Sequence, residues 1–142
     1  MQIKKIIRLG VLPALAAMTL GAGSARAADI KWHSSLSAAQ AEAKKTKRPV
    51  LVYFSTTWCG PCKEMKRTTF KDAKVVAESR RWTMVQIDAE KQEKIAAKYK
   101  VDGYPTMILL KPNGATVSRA EGGMSAGGFL NWMKSKYAAA KK

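Results

Sequence analysis

Cysteine and histidine are scarce in this sequence: two cysteines and one histidine among 142 residues. Two thiols and a lone imidazole leave a four-ligand zinc site one short of the usual kinds of ligand. The same scarcity excludes a disulfide-stapled miniature scaffold, which needs several bridges. Carboxylates are few, ten against 26 lysines and arginines. The longest apolar stretch, residues 9–20, is interrupted by Pro13 and falls short of the roughly 20 residues of a membrane-spanning helix. No internal repeat is present, so a solenoid is excluded.

What the N-terminus does have is an address. Lys4, Lys5 and Arg8 precede the apolar stretch, and Ala25-Arg26-Ala27 follows it. This is the pattern of a secretory signal cleaved after Ala27, so residues 1–27 are expected to leave and the rest to be exported, to the periplasm. No cysteine stands directly after the apolar stretch, which argues against lipidation. Residues 28–142 keep 22 basic and ten acidic side chains, a net charge of +12. Such a charge attracts acidic proteins, anionic surfaces or nucleic acid. Export sets nucleic acid aside, and solubility alone explains the charge equally well.

Both cysteines survive cleavage, in a compartment where disulfides persist. A bridge between residues three apart closes too small a loop to stabilise much. Cycling between dithiol and disulfide is the stronger reading for Cys59 and Cys62.

Residues 28–35 read as a lead-in containing Trp32 and His33, the latter without an evident partner. The alanine-rich segment 37–47 predicts a helix with Ser37 as N-cap and lysines at its negative end. The uninterrupted apolar run 50–54 predicts a strand buried on both faces. After Trp58-Cys59-Gly60-Pro61-Cys62 a helix is expected to about residue 68, with Phe70 turned inward. Asp72 caps a second piece through residue 80. A strand follows over 82–88, a helix over 90–100, a strand over 106–110, an Asn113-Gly114 hairpin turn and a return strand over 115–120. Gly122-Gly123 breaks the chain before a last helix over 125–137, and 138–142 reads as a frayed basic tail. Met65, Met107 and Met133 are expected in the core. The order predicts an α/β fold, a central mixed β-sheet flanked by helices on both faces.

A cysteine just before a helix faces unpaired amides and the positive end of the helix dipole, which favour a thiolate. Cys59 is therefore the expected nucleophile, exposed. Cys62, one turn later, is the expected shielded thiol that resolves the mixed disulfide. Lys63, Lys66 and Arg67 add positive potential, and Glu64 opposes it.

The run Trp58-Cys59-Gly60-Pro61-Cys62-Lys63 resembles the active-site motif of the thioredoxin superfamily. Gly103-Tyr104-Pro105-Thr106 resembles its second signature, and Gly122-Gly123 resembles its glycine near the last strand. The match covers residues 36–137. Segments 48–50 and 68–72 resemble an exported branch that includes the C-terminal periplasmic domain of the membrane thiol–disulfide interchange protein. The resemblance implies a thioredoxin-like fold with cis-Pro105. It also implies a substrate groove rimmed by Trp58, Gly60, Pro61, Tyr104, Pro105 and Gly122, where an extended segment pairs with the Thr106 backbone. It implies a protein-disulfide oxidoreductase, most simply a monomeric reductase or electron carrier. Its partners would be oxidised proteins and a thiol donor in the membrane, with no metal and no cofactor besides the cysteine pair. A disulfide oxidase or isomerase, or a binding module without turnover, are the competing functions.

One position departs from the family. Thioredoxins usually bury an aspartate six residues before the first cysteine, partnered by a lysine on the neighbouring strand. Here Tyr53 and Met84 stand at those positions. Losing both together is coherent, because one buried charge without the other is costly.

Overall fold

The computed structural model describes residues 28–142; the expected signal segment lies outside them. Among the described residues, five strands and five helices follow in the order β1 (Trp32–His33), α1 (Leu36–Thr46), β2 (Val50–Ser55), α2 (Gly60–Arg67), α3 (Ala73–Ser79), β3 (Thr83–Asp88), α4 (Glu93–Lys98), β4 (Thr106–Leu110), β5 (Thr116–Glu121) and α5 (Ala126–Lys141). A short 3-10 turn, Thr69–Lys71, joins α2 to α3 and buries Phe70. The strands form one mixed sheet in the order β1-β3-β2-β4-β5. β1, β3 and β2 run parallel, while β4 and β5 are antiparallel to their neighbours.

Alternation along the strands divides the interior in two. Leu51, Tyr53, Met84, Met107 and Leu109 point to a cluster with Cys59, Cys62, Met65 and Phe70, roofed by α2, α3 and α5. Val50, Val52, Phe54, Val85, Ile87, Ile108 and Leu110 point the other way, towards Leu36, Ala39 and Ala43 of α1 and Ala96 of α4. Each strand face thus buries against its own helical layer. Met65, Met107 and Met133 are all core residues.

Several local expectations need correction. The α1 N-cap is Ser35, not Ser37: its hydroxyl accepts the Ala38 amide, and Ser37 only shares a 2.8 Å bond with it. The lead-in contains β1, whose Trp32 packs against Phe70 at 5.1 Å and Tyr53 at 5.9 Å. His33 does have a partner, with Nε2 3.0 Å from Glu42 Oε2 on α1. The C-terminal residues are not frayed, because α5 continues through Lys141 and Ala140 is fully buried. The helix expected over 90–100 is shorter, since Asp88 draws the amide of Glu90 into a turn first.

A dithiol site at the mouth of α2

β2 ends at Ser55, and the loop after it delivers Cys59 to the N-cap of α2. Pro61 sits in the first helical turn, where its missing amide hydrogen has no partner to lose. Cys59 and Cys62 are joined as a disulfide, with Cα atoms 5.3 Å apart. The Cys62 amide donates to Cys59 Sγ at 3.2 Å, so the sulfur takes the place an N-cap oxygen usually fills. That amide and the dipole of α2 stabilise negative charge on Cys59 once the pair is reduced.

The expected contrast in exposure is absent in this disulfide form. Cys59 is 3% exposed and Cys62 is 1% exposed. Both sulfurs turn inward towards each other, so what distinguishes them is position, cap against first turn. Arg67 contributes less field than expected, because Glu64 holds it at 2.8 Å.

Beneath the pair lies Tyr53, fully buried. Its hydroxyl donates to the Cys62 main-chain carbonyl at 3.2 Å, and its ring meets Phe70 edge-on at 4.9 Å. Burial pushes the phenol pKa well above its ordinary value. Tyr53 is thus a neutral donor that holds the first turn of α2. Met84 shares its sheet face and its cluster, consistent with the two positions named from sequence.

Three loops surround the cysteines. The Tyr104–Pro105 peptide is cis, and the Pro105 carbonyl accepts the amide of Gly122 at 2.8 Å. Gly122 reaches that position with φ of 86°, a conformation that favours glycine. Next to it, a Cβ on Gly123 would stand 3.3 Å from Pro61 Cβ, so the double-glycine turn lies against the cysteine loop. Trp58, 68% exposed, is the one exposed large hydrophobic side chain among the described residues. It meets Tyr104 edge-on at 5.9 Å. Trp58, Gly60, Pro61, Tyr104, Pro105 and Gly122 are therefore brought to one end of the sheet. Thr106 is not on this rim: it is fully buried in β4, flanked by Phe54 of β2 and Glu121 of β5, with its hydroxyl on Gly103 O. Strands on both sides leave its backbone no edge for an incoming segment.

Sequence reasoning missed Glu90. Its carboxylate accepts both the amide and the hydroxyl of Thr57, at 2.7 and 2.8 Å, and so ties the β3–α4 loop to the residue before Trp58. The only signal was an acid two residues past a strand end. No group of three or more metal-ligating side chains occurs among the described residues, and no helix there is long and apolar enough to cross a membrane.

Fold and site together define a redox-active dithiol domain. The thioredoxin family model matches residues 32–135, and the chain belongs to that family. Thioredoxin Y, chloroplastic, from Oryza sativa subsp. japonica is 35% identical over 98 residues, 69% of this chain and 56% of that protein. Protein disulfide-isomerase from Oryctolagus cuniculus is 35% identical over 99 residues, 68% of this chain but 19% of that protein. The chain thus spans about half, or less, of these relatives. The oxidised C-terminal domain of DsbD from Neisseria meningitidis superposes with a TM-score of 0.65 at 21% identity, covering 74% of this chain and 98% of that one. A thioredoxin from Thermus thermophilus gives 0.71 at 24% identity, covering 81% and 95%. The last two likenesses concern the fold.

Proposed function

We propose that this chain is an exported protein-disulfide reductase or electron carrier working by dithiol–disulfide exchange. The observation that carries the reading is Cys59 at the cap of α2, its sulfur facing the Cys62 amide. In the reduced protein the Cys59 thiolate attacks a substrate disulfide, forming a mixed disulfide and expelling one substrate thiolate. Cys62 then loses its proton and attacks Cys59 Sγ. The Cys59–Cys62 bond forms, the second substrate thiolate leaves, and two electrons have passed to the substrate. A thiol donor, in or at the membrane, reverses the change in the protein. No cofactor beyond the cysteine pair enters these steps.

An extended segment of an oxidised protein would lie across Trp58, Tyr104 and Gly122, with Pro105 and the Gly60-Pro61 bend beneath it. The exported, periplasmic location rests on the signal pattern of residues 1–27. The Gly-Pro spacing, as in the family's reducing members, supports the reducing direction.

Two measurements test this. Cys62→Ser should trap substrate as a mixed disulfide on Cys59, whereas Cys59→Ser should trap none. Equilibration with glutathione should give a potential near thioredoxin's roughly −270 mV. A value above roughly −150 mV, towards the oxidising end of the family range, would assign the chain to disulfide formation or isomerisation instead.

A further inference from the structure

Nine of the 22 basic side chains in residues 28–142 gather at the end of the sheet opposite the cysteines, while Lys63, Lys66 and Arg67 stay on α2 beside them. α1 finishes with Lys44 and Lys45, and Lys47 and Arg48 lead from it to Val50, where β2 begins. Arg80 and Arg81 precede β3, whose first residue pairs with Val50. Lys111 follows Leu110, which pairs with Val50 from the other side. α5 carries Lys141 and Lys142 to the same place: Tyr137, a turn earlier, packs on Trp82 at 5.5 Å, and Arg81 lies 3.6 Å over its ring. Three carboxylates join this end: Asp29 lines the same cleft as Lys31, Arg48 and Arg80 and pairs with Lys71. Glu42 is held by Arg48 at 2.6 Å, and Glu78 is buried beneath Arg81 and the Trp82 indole. The acids collect at the other end: Asp88 closes β3, Glu90 holds Thr57, and Glu121 pairs across from Thr106.

We propose that this basic end docks on a bilayer surface carrying anionic lipid. Six of its nine cations are lysines, compact hydrated charges on flexible stems that suit a diffuse field of headgroups rather than one forked anion. They come from three separate chain segments and line no single groove. Trp58, the exposed aromatic that single-stranded nucleic acid would use for stacking, stands at the opposite end. The chain also enters the fold here. β1 runs parallel to β3, and Lys31 just before it shares a cleft with Arg48 and Arg80.

The test uses the protein as cells export it. It is sedimented with vesicles of phosphatidylcholine alone or mixed with phosphatidylglycerol, at low and high salt. Binding should require phosphatidylglycerol and fall as salt shortens the screening length. Replacing Lys44, Lys45 and Lys47 by glutamine should weaken partitioning roughly a hundredfold, about fivefold for each basic residue near an anionic surface. The same replacement of Lys91, Lys94 and Lys98 removes equal charge elsewhere and should leave most of the binding. Equal losses in the two triples would reduce the effect to net charge and overturn the proposal. So would equal binding to neutral vesicles, or binding of RNA or an acidic protein under conditions where phosphatidylglycerol vesicles are ignored. None of these readouts depends on the direction of electron flow.

Discussion

Tyr53 is the buried side chain on which the first turn of α2 rests. A buried phenol is neutral in the fold and ionises near pH 10 when unfolded. Above that pH the unfolded chain releases a proton that the folded chain keeps, so alkaline conditions favour unfolding. The Tyr53 contribution is complete below pH 10 and shrinks above it. Tyr53→Phe should therefore cost about 1 kcal/mol near neutrality, the worth of its bond to Cys62 O. It should also flatten the alkaline loss of stability, measured by urea unfolding from pH 8 to pH 11. Tyr53→Asp tests the replacement the other way. It leaves a buried charge and a cavity, and should cost about 3–5 kcal/mol. Met84→Lys in that background should recover part of the loss, because both side chains enter the same cluster. A double variant no more stable than Tyr53→Asp would mean that the two never meet. The cysteine pair was legible from the chain because its signal is local, two thiols, a glycine and a proline in four residues. The bonds from Tyr53 to Cys62 and from Glu90 to Thr57 were not, since they join residues 9 and 33 apart.

Among the elements, the strands buried on both faces were the clearest in advance. β2 and β4 are continuous apolar runs, and a run of that kind has few alternatives in a chain this short. The start of α3 was also legible, since Asp72 caps it with two bonds, whereas the cap of α1 fell on Ser35 and not on Ser37. β1 was not, because two residues show no periodicity and its pairing with Met84 and Val85 is wholly long-range. The end of α5 misled for a different reason. Three alanines followed by lysines carry no amphipathic signature, yet small side chains are what allow the last turn close to the core. Ala140→Lys should destabilise by about 1–3 kcal/mol through overpacking and a stranded charge. Ala139→Lys, on the exposed side, should change stability by less than about 0.5 kcal/mol. Thermal melts of the two variants separate a docked helix end from a loose one.

At the scale of the whole molecule, the sheet is a partition. Cys59 and Cys62 belong to the layer of α2, α3 and α5, and none of the residues buried beneath α1 and α4 belongs to that layer. Breaking the disulfide should loosen α2 and whatever packs on it, while the far side, joined to the site at Tyr104 and through the Glu90–Thr57 bonds, should keep most of its contacts. Local opening follows such contiguous units. Amide hydrogen exchange, compared between the oxidised and reduced protein, should therefore quicken in α2 and the adjoining start of α5. The amides of α1 and α4 should exchange at unchanged rates. Uniform acceleration would mean that the sheet transmits the change. Otherwise one half of the domain is blind to its own redox state, and a partner seated on α1 or α4 could not tell a charged carrier from a spent one.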